Sequence, residues 1–281
     1  MKIKNFPPLI TFRITSRCNN NCKCCFGPKN VKEMNFTKLK KLFRIFWLGG
    51  AKAILLTGGE PLIREDFKKV IQELKKYDFK IFLDTNGDFF FKYKDLISKN
   101  VDVLGLPIDF VNPSYRNEKN LEIILKILNF YKNKKKRPII RIGTVVTKDN
   151  FNYLNKIGII LKNYSVDIWK IYEFTPQAVN ALKNKSSLEL SQKEFNKATK
   201  NLKKEFSRYF KVVISKRTDR NAAYFFVNPD GNVFIPIDDL NICRQHKIGN
   251  IFDSDILDKW KKSVSKSNYI NNIKLTFNYK I

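Results

Sequence analysis

The chain has 281 residues, with 54 Lys and Arg against 26 Asp and Glu, a formal charge of +28. At 43% hydrophobic residues it is a globular protein with material for a sizeable core, not a disordered basic tail. Its one histidine, His246, excludes two-histidine zinc sites and His-paired facial triads, so chemistry must come from thiolates, carboxylates, lysines or a cofactor.

The first expected element is a strand over residues 9–15, running directly into a loop that holds Cys18, Cys22, Cys24 and Cys25. A helix over 38–48 follows, with Thr37 as its expected cap and Leu39, Leu42, Phe43, Phe46 and Trp47 at helical spacing. Gly49-Gly50 ends it. A strand over 53–57 leads to Gly58-Gly59-Glu60-Pro61, then a helix over 67–74 and a strand over 80–85 closed by Asn86-Gly87. Strand 103–108 precedes helix 121–130, strand 139–147 precedes helix 153–162, and a sixth strand over 167–174 stops at Thr175-Pro176. Short continuous apolar strands alternating with helices predict an α/β fold: a parallel sheet curled into a partial (β/α)6 TIM-like barrel over 8–176. In such a barrel the loops after the strands form the active face.

After Pro176 the rhythm changes, and residues 177–281 read as a C-terminal α+β extension. A charged helix is expected over about 192–210, a strand at 212–214, a hairpin turned by Asn228-Pro229-Asp230-Gly231, and a closing helix over 255–263. Residues 1–8 lack the apolar core of a signal segment, and no run is long enough to cross a membrane. A cytoplasmic protein without a membrane partner is expected.

Clustered cysteines in a reducing compartment point to metal before disulfides. Cys18, Cys22 and Cys25 have the spacing C-x3-C-x2-C. Three thiolates can hold three irons of a four-iron cube and leave the fourth open, the arrangement of a catalytic rather than a structural site. Zinc on all four cysteines is the bland alternative. Four ligands within eight residues, two of them adjacent, would strain its tetrahedron.

This motif, followed by Gly58-Gly59-Glu60-Pro61 after the second strand, resembles the radical S-adenosylmethionine (SAM) superfamily over residues 8–176. The resemblance implies an enzyme with one [4Fe–4S] cluster on Cys18, Cys22 and Cys25, where Cys25 rather than Cys24 keeps the family spacing. It implies SAM bound to the open iron and a low-potential ferredoxin- or flavodoxin-like electron donor. Reductive cleavage of SAM would give a 5′-deoxyadenosyl radical that abstracts hydrogen from a substrate. Gly58 and Gly59 are expected to let the backbone approach the methionine moiety, Glu60 to sit near its ammonium, and Pro61 to stiffen the turn. By position, Thr85, Asn86 and Asp109 would meet methionine or ribose hydroxyls, while Asn150 and strand 141–147 would flank the adenosine. Ordinary turn and strand-end roles compete at each of these positions. No catalytic side chain is assigned.

For the substrate, Lys170, Tyr172 and Glu173 alternate on the sixth strand, and Arg217, Asp219 and Arg220 cluster before the hairpin. Two arginines suit a phosphate or carboxylate, so an anionic small molecule, nucleotide or peptide is expected. The tail resembles the SPASM/twitch extensions of peptide- and cofactor-maturing radical SAM enzymes, but only Cys243 remains for an auxiliary cluster, and it reads as a small apolar residue. Trp169-Lys170 and the length also resemble the viperin-type nucleoside triphosphate dehydratases. From another class, the +28 charge suits a basic RNA-binding protein with a structural metal, although 43 Lys against 11 Arg makes a solvated lysine surface the better account.

Overall fold

The computed structural model describes residues 6–109, 119–239 and 242–277, with backbone alone at 119, 120, 239, 242, 243 and 274–277. Seven strands lie side by side in chain order: β1 (Leu9–Thr15), β2 (Ala53–Gly58), β3 (Lys80–Asp84), β4 (Val103–Pro107), β5 (Ile139–Val146), β6 (Ile168–Glu173) and β7 (Lys211–Ser215). Each pairs parallel with the next. The expected mixed α/β architecture with a mostly parallel sheet is therefore present.

Strands from beyond Pro176 complete both edges of one ten-stranded sheet. On one side β7 joins β6. On the other, β8 (Phe226–Val227) runs parallel to β1, then β9 (Asn232–Asp239) and β10 (Ile242–Asn250) follow antiparallel. The Asn228–Gly231 turn joins β8 to β9 as its sequence requires, with Gly231 at φ 88°.

Strand alternation sorts the two faces. On β1, Ile10, Phe12 and Ile14 are fully buried in the main core between sheet and helices. The opposite face points into the barrel. There Ala53, Phe82, Val103, Ile168 and Val213 pack into a separate apolar plug. Toward the C-terminal strand ends the same inner face turns polar, with Arg13, Arg141 and Lys170 buried and Asp84 half-buried.

Several local expectations are corrected. Asn35, not Thr37, caps the helix Phe36–Leu48, its Oδ1 accepting the Lys38 N–H at 3.0 Å. Trp47 falls beside the stripe made by Leu39, Leu42, Phe43 and Phe46; it is 49% exposed and packs on Tyr77 at 5.7 Å. The expected helix over 192–210 is two helices, Gln192–Thr199 and Leu202–Phe206. The Thr199 hydroxyl bonds back to the Phe195 carbonyl at 2.9 Å where the first one ends. The helices Phe90–Asn100 and Lys266–Phe277 and the strand β10 are additions. Cys243 lies in β10, where only backbone is described. No described helix is long and apolar enough to cross a membrane.

Candidate functional site

The loop after β1 returns on itself before the first helix. Ser16 and Val31 close its stem reciprocally: the Ser16 hydroxyl donates to the Val31 carbonyl and accepts the Val31 N–H, both at 3.0 Å. Buried Arg64 clamps the flanks, donating to the carbonyls of Ile14 (2.8 Å) and Met34 (3.2 Å) and pairing with Glu33 and Asp66. Four free thiols lie inside this closed loop. Cys18, Cys22 and Cys25 are half-buried, whereas Cys24 is buried beside Phe174, Ala181 and Leu188.

All four cysteines line an outer chamber at the C-terminal ends of β1–β5. Burial pushes the Cys18 thiol up, countered in part by the Asn20 N–H that donates to its sulfur at 3.4 Å. Among the described residues, no three Cys, His, Asp or Glu side chains converge to metal-binding spacing. The thiols thus share a wall without forming a closed ligand set.

Gly58 and Gly59 also line this chamber, but their lack of side chains serves the chain itself. A Cβ on Gly58, at φ 137°, would lie 2.2 Å from the Thr15 carbonyl oxygen, and one on Gly59 would lie 2.1 Å from that of Arg17. Close approach lets the Gly59 and Glu60 N–H groups donate to Thr15 and Arg17, each at 2.8 Å, stitching the β2 loop to the root of the cysteine loop.

Glu60 is fully buried and directed away from the chamber. Its Oε1 accepts from the Leu62 N–H (3.0 Å) and the Thr85 hydroxyl (2.7 Å), and its Oε2 from the Asn86 N–H (2.7 Å). Burial pushes its carboxyl up to about 7 against those three donors. The carboxylate is a bracket between the β2 and β3 loops. Pro61 opens the short helix Pro61–Ile63.

Thr85, Asn86 and Asp109 do line the chamber. Asn86 also donates to Asn19 Oδ1 at 2.9 Å, and Asn19 donates to Asp88 at 2.5 Å, latching the cysteine loop onto the β3 loop. Asp109 accepts the Val145 N–H at 2.7 Å. Asn150 is fully buried outside the chamber: its amide serves the carbonyls of Asp109 (2.9 Å) and Val145 (2.7 Å), and its oxygen the Thr147 N–H (2.8 Å). These bonds organise the β5 end.

A second chamber lies deeper in the barrel and shares Asp84, Arg141 and Tyr172 with the first. Asp84 on β3 pairs with Arg141 on β5 across the intervening β4, because Gly105 has no Cβ there; one would sit 1.9 Å from Asp84 Oδ1. Lys170 is 5% exposed and lines this chamber, with its ammonium 5.0 Å from the Tyr172 ring centroid. Burial and the nearby Arg141 and Arg220 push it down to about 7.

Of the expected arginine cluster, Arg217 is neutralised by Glu189 (2.7 Å) and Asp238 (2.6 Å). Arg220 instead donates to Thr175 Oγ1 (2.7 Å) and the Glu173 carbonyl. Among the described residues no carboxylate pairs with Lys170 or Arg220. Tyr224 and Phe226, stacked at 5.0 Å, add an aromatic wall. Asp84 was not visible as a site residue in sequence; its only signal was an acid closing an otherwise apolar strand.

The family model of the Radical SAM superfamily matches residues 12–160. The chain belongs to the radical SAM superfamily. Enzymes of this family use a [4Fe–4S] cluster with SAM and require a reductant. The chain is 27% identical over 205 residues to the tungsten-containing aldehyde ferredoxin oxidoreductase cofactor-modifying protein of Pyrococcus furiosus, covering 63% of this chain and 55% of that protein. It is 34% identical over 136 residues to the GTP 3′,8-cyclase of Aquifex aeolicus, covering 43% and 41%. The chain therefore spans about half the length of these two curated relatives. With the S-adenosylmethionine-dependent nucleotide dehydratase of Flammeovirga pacifica it shares 26% identity over 254 residues, 82% of this chain and 83% of that one. The fold also matches Streptococcus suis SuiB bound to its precursor peptide SuiA (TM-score 0.69, 15% identity, 96% and 67% coverage). Native anSMEcpe with bound AdoMet gives 0.66 at 21% identity, with 97% and 84% coverage.

Proposed function

We propose that this radical SAM enzyme holds its cluster on Cys18, Cys22 and Cys25 and acts on a small anionic substrate of the nucleotide class in the inner chamber. The donor set fits the cluster. All four thiols line one chamber, but Cys18, Cys22 and Cys25 are half-buried, whereas Cys24 is buried and packed against Phe174, Ala181 and Leu188. When bound, the cluster and SAM supply one-electron cleavage of SAM and a 5′-deoxyadenosyl radical.

The chain supplies the rest. The stitched glycine loop and the Glu60 bracket fix the outer walls, and Thr85, Asn86 and Asp109 offer polar groups to the ribose and methionine parts of SAM. The Asp84–Arg141 pair stands at the passage between chambers. Beyond it, Lys170 and Arg220 take the anionic end of the substrate and the Tyr224–Phe226 wall takes a planar ring.

The observation that carries the substrate assignment is buried Lys170, which lines a chamber whose two carboxylates are engaged elsewhere, Asp84 with Arg141 and Glu173 with the Arg217 N–H. A buried charge without a partner is costly, and an anionic ligand would remove that cost. Similarity to a nucleotide dehydratase along most of both chains supports the same reading. The test is an anaerobic screen of the reconstituted enzyme with ferredoxin- or flavodoxin-type reductant, reading 5′-deoxyadenosine above the uncoupled background. Nucleoside triphosphates should raise it. Response to peptides with none to nucleotides would discard the nucleotide assignment.

A further inference from the structure

Arg13 is the one cation on the inner face of β1, and it is 1% exposed. Its Nη1 is committed, donating to Asn228 Oδ1 at 3.1 Å and Gln245 Oε1 at 2.5 Å. The guanidinium lies 4.3 Å from the Phe226 ring centroid and 5.5 Å from that of Phe26, so two aromatic rings fix its plane. No carboxylate pairs with it among the described residues. Nη2 is buried and has no hydrogen-bond acceptor. A guanidinium held this firmly, with one N–H pair unused, costs several kcal/mol unless an anion completes it.

Arg13 lines the same chamber as Cys25, and Phe26, which flanks its guanidinium, is the next residue along the chain from Cys25. Charge on the Cys25 sulfur acts on Arg13 electrostatically. A cluster held by three thiolates is a net anion and becomes more negative on reduction. A fixed cation beside it therefore favours the reduced form, and N–H donation to its sulfurs acts in the same direction.

We propose that Arg13 Nη2 donates to a sulfur at the Cys25 corner of the cluster and thereby raises the cluster's reduction potential. The inference rests on the assignment of Cys18, Cys22 and Cys25 as ligands. Arg13 would touch the cluster directly and set how readily it accepts its electron, without touching the reacting carbon.

The test uses the full chain, reconstituted anaerobically and kept free of SAM, in wild-type, Arg13→Gln and Arg13→Lys forms. The cluster is titrated with EPR detection. At fixed potential the reduced-to-oxidised ratio of Arg13→Gln should fall about tenfold, equivalent to about 59 mV for a one-electron couple. Arg13→Lys should shift the same way by less. A purely structural role would lower iron content or melting temperature and leave the potential of loaded clusters unchanged, so unchanged potentials in both variants overturn the proposal.

Should the variants fail to fold, the wild-type protein still decides. Hyperfine spectra of its reduced cluster, in protein carrying arginine labelled with 15N in the guanidinium, should show a 15N coupled to the cluster, and absence of that coupling also overturns the proposal. If the wild-type chain binds no [4Fe–4S] cluster, the ligand assignment falls and this inference with it. A loaded cluster indifferent to Arg13 removes this inference alone.

Discussion

The outer and inner chambers meet at Asp84 and Arg141, yet they are built by opposite means. In the outer one, residues of neighbouring loops satisfy each other: the Gly59 and Glu60 N–H groups donate to the Thr15 and Arg17 carbonyls, and the Glu60 carboxylate accepts the Asn86 N–H. In the inner one, side chains from distant elements converge and leave charge uncompensated at Lys170 and Arg220. The first arrangement is a rigid frame held by its own hydrogen bonds. The second is an open demand for a ligand. Under the proposed function, substrate choice falls to the inner chamber and the chemistry common to the family to the outer.

The sharpest way to break this contrast is to remove thiols. Cys18→Ala, Cys22→Ala or Cys25→Ala should abolish cluster iron and SAM cleavage, while Cys24→Ala keeps both. Iron and sulfide per chain after anaerobic reconstitution would settle it, and full iron in a Cys25→Ala variant would reassign the third ligand. Next in size, Lys170→Met should lower kcat/KM for a nucleotide substrate about ten- to hundredfold, the worth of one charge-assisted hydrogen bond at about 1.5–3 kcal/mol. Uncoupled SAM cleavage should survive. If both activities decline together, the two chambers are not functionally separate.

Within the frame, Gly59→Ala forces a Cβ onto the Arg17 carbonyl and should cost about 1–3 kcal/mol, read as a fall in Tm. An unchanged melt would mean that the stitch yields easily. The smallest effect is a pH slope. Because the Glu60 pKa is raised from 4.5 to about 7, the folded state keeps a proton that the unfolded chain releases in this window. Its contribution to stability is greatest below the unfolded value, declines as pH rises through the window, and is flat above the folded value. Melts of Glu60→Gln at the two ends of the window should lack this component. Parallel curves for variant and wild type would remove Glu60 as its source.

The sheet was largely legible because β1–β6 are short apolar runs bounded by Gly, Asn or Pro, and the two loop motifs mark where the frame closes. What escaped has physical causes. The helix Phe90–Asn100 buries only Phe90 and Ile97 among its residues, too sparse a stripe to read, and β10 carries Arg244, Gln245, His246 and Lys247 in succession. The strand at Val212 was visible, but its pairing with β6 depends on a long-range partner that local pattern does not encode. Glu60 and Asn150 illustrate the same limit in the site. A polar residue at a strand end can serve a ligand or a backbone N–H, and only packing decides between them. Arg13, Arg141 and Lys170 had a readable signal, a lone charge inside an apolar strand, whose meaning emerged once all three were seen on one inner face.

The closed stem of the cysteine loop has a thermodynamic consequence. In small zinc domains the metal's binding free energy is the folding free energy, so a chelator unfolds them. Here Ser16, Val31, Arg64 and the glycine stitch already close the loop through the protein's own hydrogen bonds. Loop-closure entropy is spent before any iron arrives. Cluster assembly then has only a short thiol-bearing segment left to order, and iron loss and global unfolding become separate transitions. A chain stripped of its iron by a chelator should therefore keep its native far-ultraviolet circular dichroism.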